Sequence, residues 1–206
     1  MRKLFYSISI ISLLVSCSDN KYIIDNNKVY IIGWNEGNGN YKRVMKIADA
    51  NTFQTIKTES DYCNLFGKDK NFVFKDEEII DGADPKTFKF VGNHIFKDKN
   101  YAYYFGMIYN DRGPRIDPID INNIKLLESP WAKSGKRLIW GYTSLKLTDI
   151  NDFLPINEDY GKTKKHIIFQ GIILENVDYE SFEVIDGGFA KDKNHNYFFG
   201  EIDDRE

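Results

Sequence analysis

Few side chains suited to chemistry occur in this chain, and they are scattered. Histidine occurs three times, as His94, His166 and His195, and cysteine twice, as Cys17 and Cys63. A zinc site takes three or four converging ligands, and neither a His-x-x-x-His nor a Cys-x-x-Cys spacing is present. Asp69, Asp98 and Asp192 each open an Asp-Lys-Asn step. Such a step resembles the start of an EF-type calcium loop, but that loop needs further oxygens and a glutamate at its twelfth position, and a central lysine has the wrong charge. These steps are read as hairpin bends. Glu77 with Glu78, and Asp203 with Asp204, are paired acids of the type that glycoside hydrolysis uses. Neighbours on a strand point to opposite faces, however, and the second pair reads as a solvated tail. Cys63, near Tyr62 and Leu65, reads as a small buried apolar residue rather than a nucleophile. Gly187 with Gly188, and Gly37 with Gly39, lack the strand, loop and helix setting of a phosphate cradle and read as turns. No catalytic residue, metal or cofactor is expected, and the ligand-binding residues are not identified by the sequence.

What the acids do show is a period. Asp120, Asp149 and Asp178 recur every 29 residues, and from Asp84, Asp120, Asp149 and Asp178 a lysine follows 13 positions later: Lys97, Lys133, Lys162 and Lys191. Asp49 with Lys68 belongs to the same series, with six residues added around Asp61 to Asn64. Seven more are added between Lys97 and Asp120, around Asp111 to Asp117. Self-similarity at such a period marks a repeat architecture, whose units bury their apolar faces by stacking on neighbours. Loops inserted on that scaffold are where binding tends to sit, so the segments near Asp61 and Asp111 are the first places to look.

Within the unit, Asp84 followed by Pro85 reads as a helix N-cap and first helical residue. Apolar residues four and seven positions later, such as Phe88 and Val91, or Phe182 and Ile185, then share a helical face. One helical turn that plugs its Phe into the core is expected, followed by a short strand. The Lys97 to Asn100 stretch is a polar bend between apolar runs, where Asp and Asn would supply left-handed backbone. Beyond it Tyr101, Tyr103 and Phe105 face one way and Ala102 and Tyr104 the other. Five residues past each bend Asp, or its replacement, stand Tyr30, Phe74, Tyr103, Ile139, Ile168 and Tyr197, a column expected to face the core. His166 and His195 share the column of Phe72 and Tyr101 and read as strand surface residues.

The Asp-Lys-Asn bend with following aromatics, as in Asp98, Lys99, Asn100, Tyr101, Tyr103 and Tyr104, resembles the DKNYY family of exported bacterial proteins and lipoproteins. Asp69 to Phe72, and Asp192 to Asn194 with Tyr197, match it too, whereas Ser134 and Thr163 replace the Asp. The resemblance runs from about Asp49 to the C-terminus and implies an address and a repeat architecture, with no particular activity.

The N-terminus has its own pattern. Arg2 and Lys3 precede an apolar run from Leu4 to Val15, and Leu14, Val15, Ser16 and Cys17 complete what resembles a lipoprotein signal. The run is too short to stay in a bilayer as a spanning helix. Cleavage before Cys17 and acylation of that residue would anchor the chain stably. Ser18 after the cysteine points to an outer membrane where the host has one. Losing residues 1–16 removes Arg2 and Lys3 and takes the net charge from −3 to −5. With lysines spread through the repeats, such a surface argues against nucleic acid.

The expected organisation is a signal peptide at 1–16, a tether at 17–24 and one repeat domain at 25–206. The fold expected is mainly β: tandem hairpins of about 29 residues with short helical turns, stacked as a curved or solenoid-like sheet. A propeller is disfavoured because a blade takes four strands and about 40 residues. Aromatic residues make up 15% of the chain, and Trp34, Trp131 and Trp140 fall partly outside the core columns. The expected function is a non-catalytic module of the cell envelope that binds a protein or glycan partner. The alternatives are an envelope hydrolase acting on glycan or peptide, which requires titratable groups converging in one cleft, and an immunity or inhibitor lipoprotein that blocks a toxin.

Overall fold

The computed structural model describes residues 20–203 apart from 36, 38, 60–64 and 107–112. Six small antiparallel sheets follow one another along these residues, one of three strands and five of four, each a meander of consecutive strands. They span 21–44, 54–79, 89–116, 124–146, 154–173 and 183–202, and are called units one to six. The third unit is representative, with strands Lys89–Gly92, Ile95–Lys97, Ala102–Tyr104 and Arg115–Ile116.

The chain is mainly β as expected, and the hairpin of each repeat is extended on both sides to a four-stranded meander. Its strands are two to four residues long, which is how four of them fit into a 29-residue period. The strand count used against a blade-like unit does not hold. The fold begins slightly before Asp25, since the first strand, Lys21–Asp25, takes residues assigned above to a tether.

The expected helical turn is a single 3-10 turn in units five and six, at Ile150–Asp152 and Tyr179–Ser181. Phe53, Phe88 and Phe153, four residues after their start Asp, are buried as expected. The residues seven positions on do not share a helical face with them, because the backbone has by then become the unit's first strand. Ile156 and Ile185 are consequently exposed.

Left-handed backbone lies elsewhere than expected. It occurs at Asn26 with Asn27, Asn93 with His94, Gln170 with Gly171 and Phe199 with Gly200, in the two-residue turns of the other hairpins. Consecutive positive φ values there give the twist that suits tight hairpins. None of the Asp-Lys-Asn bends has a positive φ.

Each of five apolar clusters is shared by two successive units. Val29, Met45, Phe53 and Phe74 join the first and second. Phe66, Phe88, Phe96 and Tyr103 join the second and third. Tyr104, Ile116 and Ile139 join the third and fourth, Trp131, Phe153 and Ile168 the fourth and fifth, and Tyr160, Tyr197 and Ala190 the fifth and sixth. In the third unit Tyr103 and Phe105 face backward and Ala102 and Tyr104 forward, as the alternation implies. Both faces of an inner unit are thus buried.

The core column holds at Phe74, Tyr103, Ile139, Ile168 and Tyr197, all 2% exposed or less. Tyr30 is only half-buried, since the first unit turns Val29 and Ile31, on the opposite face, toward the second. Trp131 and Trp140, which fall outside that column, are core residues, whereas Trp34 is exposed.

Buried donors reinforce the stack. Trp131 Nε1 donates to Asn157 O at 2.8 Å and Trp140 Nε1 to Glu158 O at 2.7 Å. Tyr22 Oη donates to Asp76 O at 2.7 Å, and Tyr160 Oη to Gly188 O at 3.0 Å. Lys68 and Lys97 reach forward to Phe88 O and Ile121 O. Phe96 is fully buried with its ring 4.2 Å from that of Phe66 in the preceding unit. Phe96→Ala is expected to destabilise the chain by about 3–5 kcal/mol in urea unfolding; a loss under about 1 kcal/mol would contradict packing between units as the source of stability.

Candidate binding site

The motif residues divide by burial. Asp69, Asp98 and Asp192 are buried, whereas the Lys and Asn that follow each of them are exposed. Asp98 Oδ1 accepts from the backbone N–H of Asn100 at 2.6 Å and Tyr101 at 2.7 Å. Its Oδ2 accepts from Asp84 N and Tyr103 Oη, both at 2.8 Å. Asp192 repeats the pattern with Asn194 N, His195 N, Asp178 N and Tyr197 Oη. Asp69 does so with Asn71 N, Phe72 N and Asp49 N, and its partner in the column, Phe74, has no hydroxyl. One carboxylate therefore closes the bend and pins the start of the unit to it.

The replacements keep half of this each. Thr163 Oγ1 accepts from Lys165 N and His166 N, which closes the bend. Ser134 Oγ accepts from Asp120 N and donates to Asp120 O, which pins the start. In both units the tyrosine of the column is an isoleucine, so no hydroxyl is left without its acceptor.

Burial alone would raise these carboxyls, but the N–H and O–H donors outweigh it. Asp98 is held below the ordinary carboxylate value and Asp192 is lowered to about 2. Burial and the Asp98 carboxylate raise Tyr103 well above the ordinary phenol value. The bend lysines complete the motif from outside: Lys70 reaches Asp49 at 2.9 Å, Lys99 reaches Asp84 at 3.6 Å and Lys193 reaches Asp178 at 2.6 Å. Held on exposed stems, these pairs contribute little to stability. In the fifth unit Lys164 pairs with Asp152 instead, and neither buried oxygen of Asp149 has a hydrogen-bond partner.

The other residues singled out by sequence do not converge. His166 and His195 are half-buried at the ends of their bends, and His94 lies in a two-residue turn with its ring 6.0 Å from Tyr104. Among the described residues no three His, Cys, Asp or Glu side chains are placed to hold a metal. Glu77 pairs with Arg43 at 2.5 Å, while Glu78 lines a cleft. Cys17, Cys63, Asp204 and the insertion around Asp61 to Asn64 lie outside the described residues, as do Asp111 and Arg112.

That cleft lies between units two and three, at the described end of the second insertion. Its volume is about 500 Å³, and Lys75, Glu78, Ile79, Phe105, Pro114 and Arg115 are among its lining residues. Arg115 is held in place there: its Nη2 donates to Asp81 O at 3.2 Å, and the guanidinium lies 4.0 Å from the Tyr101 ring centroid. Phe105, two cations, the acids Glu78 and Asp81 and the exposed edge residue Ile79 are groups able to contact a partner there. The insertion signalled the place, but Lys75 and Glu78 come from the preceding unit and nothing in the period marks them. A smaller cleft of about 330 Å³, lined by Thr52, Lys70 and Lys86 among others, lies at the second unit's bend.

The model of the DKNYY family matches residues 6–107 and 107–201, and the boundary between the two matches falls within the third unit. No curated protein and no solved structure matches the chain.

The bend carboxylates have two measurable consequences. Asp98→Ala orphans backbone donors and is expected to cost about 2–3 kcal/mol in urea unfolding. The folded chain also holds Asp192 ionised to about pH 2, whereas the unfolded chain protonates it near the ordinary value of 3.8. Its stabilisation is complete above that value and is lost as pH falls from 3.8 towards 2. Thermal melts should show Tm falling across that window, less steeply in Asp192→Asn; equal slopes would contradict the assignment.

Proposed function

The chain belongs to the DKNYY family, and we propose that it is an exported lipoprotein, anchored to the cell envelope through Cys17, that binds a protein or glycan partner without catalysis. The observation that supports binding most strongly is the cleft between units two and three, where Arg115, Lys75 and Phe105 meet at the base of an inserted segment. The Asp-Lys-Asn residues do not compete for the role of site, because their carboxylates are occupied by backbone donors. Glu78 and Asp81 also line the cleft; paired acids are what the alternative reading, an envelope hydrolase acting on glycan, would use.

Anchoring is supported by the order of the N-terminal residues: Arg2 and Lys3, the apolar run to Val15, then Cys17. Acyl chains at that position hold a protein to a membrane by their buried methylenes, with no spanning helix required. No helix among the described residues is long and apolar enough to cross a membrane.

Both parts are open to test. Cells expressing the chain and fed a labelled fatty acid should label it, and Cys17→Ser should abolish the label; persistent labelling would refute the anchor. For binding, residues 18–206 immobilised against envelope extracts and purified cell-wall glycan should capture a partner. Arg115→Ala should weaken that capture by at least about tenfold at unchanged Tm. Equal capture by both forms would place recognition outside this cleft.

A further inference from the structure

We propose that the chain associates head to tail with a second copy of itself, the outer face of the sixth unit docking on the outer face of the first. This goes beyond the binding reading above and uses different surfaces. The sixth unit carries a forward-facing set of residues that no other described residue covers. Three positions before the bend, Phe66, Ile95, Trp131 and Tyr160 all pack on the next unit and are at most 1% exposed. The corresponding residue of the last unit, Phe189, is 46% exposed. Phe198 lies beside it in the sheet register, their rings 4.6 Å apart. Lys191 pairs with Glu183 on its own sheet at 3.3 Å.

The first unit presents the matching surface. Residues paired across an antiparallel sheet share a face. Tyr22 and Ile31 look toward the second unit, so Ile23, Tyr30, Ile32 and Trp34 look outward. Trp34 is 51% exposed.

Charge selects which faces meet. Among the described residues, the outward face of the first unit holds Lys21, Lys28 and Lys42 against the one acid Asp25. That of the sixth unit holds Glu183, Asp186 and Glu201 against the single base Lys191. Asp25 pairs with Lys42 and Glu183 with Lys191, which leaves Lys21 and Lys28 to face Asp186 and Glu201. Like faces would repel, and unlike faces bring aromatic centres together inside complementary rims. Such a heterologous contact repeats from copy to copy, giving rings or open filaments rather than a closed pair of identical faces.

The test is sedimentation velocity of the full chain in a density-matched detergent over a wide concentration range. Wild-type chain should sediment faster as concentration rises, and added salt should reduce the effect. Two surface variants, Lys21→Glu with Lys28→Glu, and Asp186→Lys with Glu201→Lys, should each weaken self-association by at least about tenfold. Their Tm should match wild type, because all four positions are exposed. Mixed together, the two variants should associate again, since each supplies the face the other lacks. The proposal is overturned by a wild-type chain that stays monomeric, which would leave these faces to another partner. It is equally overturned by a variant that self-associates as wild type does, the mark of contact between identical faces, or by a mixture that stays apart.

Discussion

A buried carboxylate that accepts four hydrogen bonds is the constraint on which this fold turns. Asp98 takes two donors from its own bend, one from the start of its unit and one from a tyrosine of the core column. Strands of two to four residues have too few ladder bonds to hold a sheet together. The carboxylate substitutes for part of that ladder by tying the unit's first turn to its central hairpin. Ionised and desolvated, it is tolerable only because every donor around it is in place.

Closing the unit does not stabilise it alone, since both faces of an inner sheet are apolar. Each of the five clusters needs two neighbouring units, and the largest buried side chains, among them Trp131, Tyr103 and Tyr160, lie at those junctions. Stability in such a chain is a sum of unit and nearest-neighbour terms. The arrangement has two outcomes for function. Inner units spend their apolar surface on each other, which leaves recognition to the edges, where the insertion near Arg115 forms a cleft with Lys75 and Phe105. In the sixth and first units Phe189 and Trp34 are exposed among the described residues.

Much of this was legible in the residues. The 29-residue spacing located the units, and the residue five past each bend located the core, because both follow from contacts that recur in every copy. The role of the bend Asp was harder to read. Its conformational tolerance suggested a left-handed turn, whereas its side chain is what matters, and the clue was the company it keeps: tyrosine stands in the column at 103 and 197, beside Asp98 and Asp192, and isoleucine at 139 and 168, beside Ser134 and Thr163. Four strands per unit are harder to read because the outer two are short and mostly exposed or half-buried, whereas the inner strands show the alternation. Trp131 and Trp140 stand outside that column because a column defined on one face does not describe the other, and their indole N–H groups donate to carbonyls of the next unit. The cleft was legible only on the side of the insertion, for it is assembled across a junction that sequence distance does not show.

Backbone hydrogen exchange at Asp84, Asn100 and Tyr101 tests the central role of the carboxylate most directly, because their N–H groups end on Asp98. The account predicts that all three are protected in the wild-type chain and exchange freely in Asp98→Ala, while Asp178, Asn194 and His195 in the sixth unit stay protected. Unchanged protection at the three amides, or rapid exchange there in the wild-type chain, would contradict it.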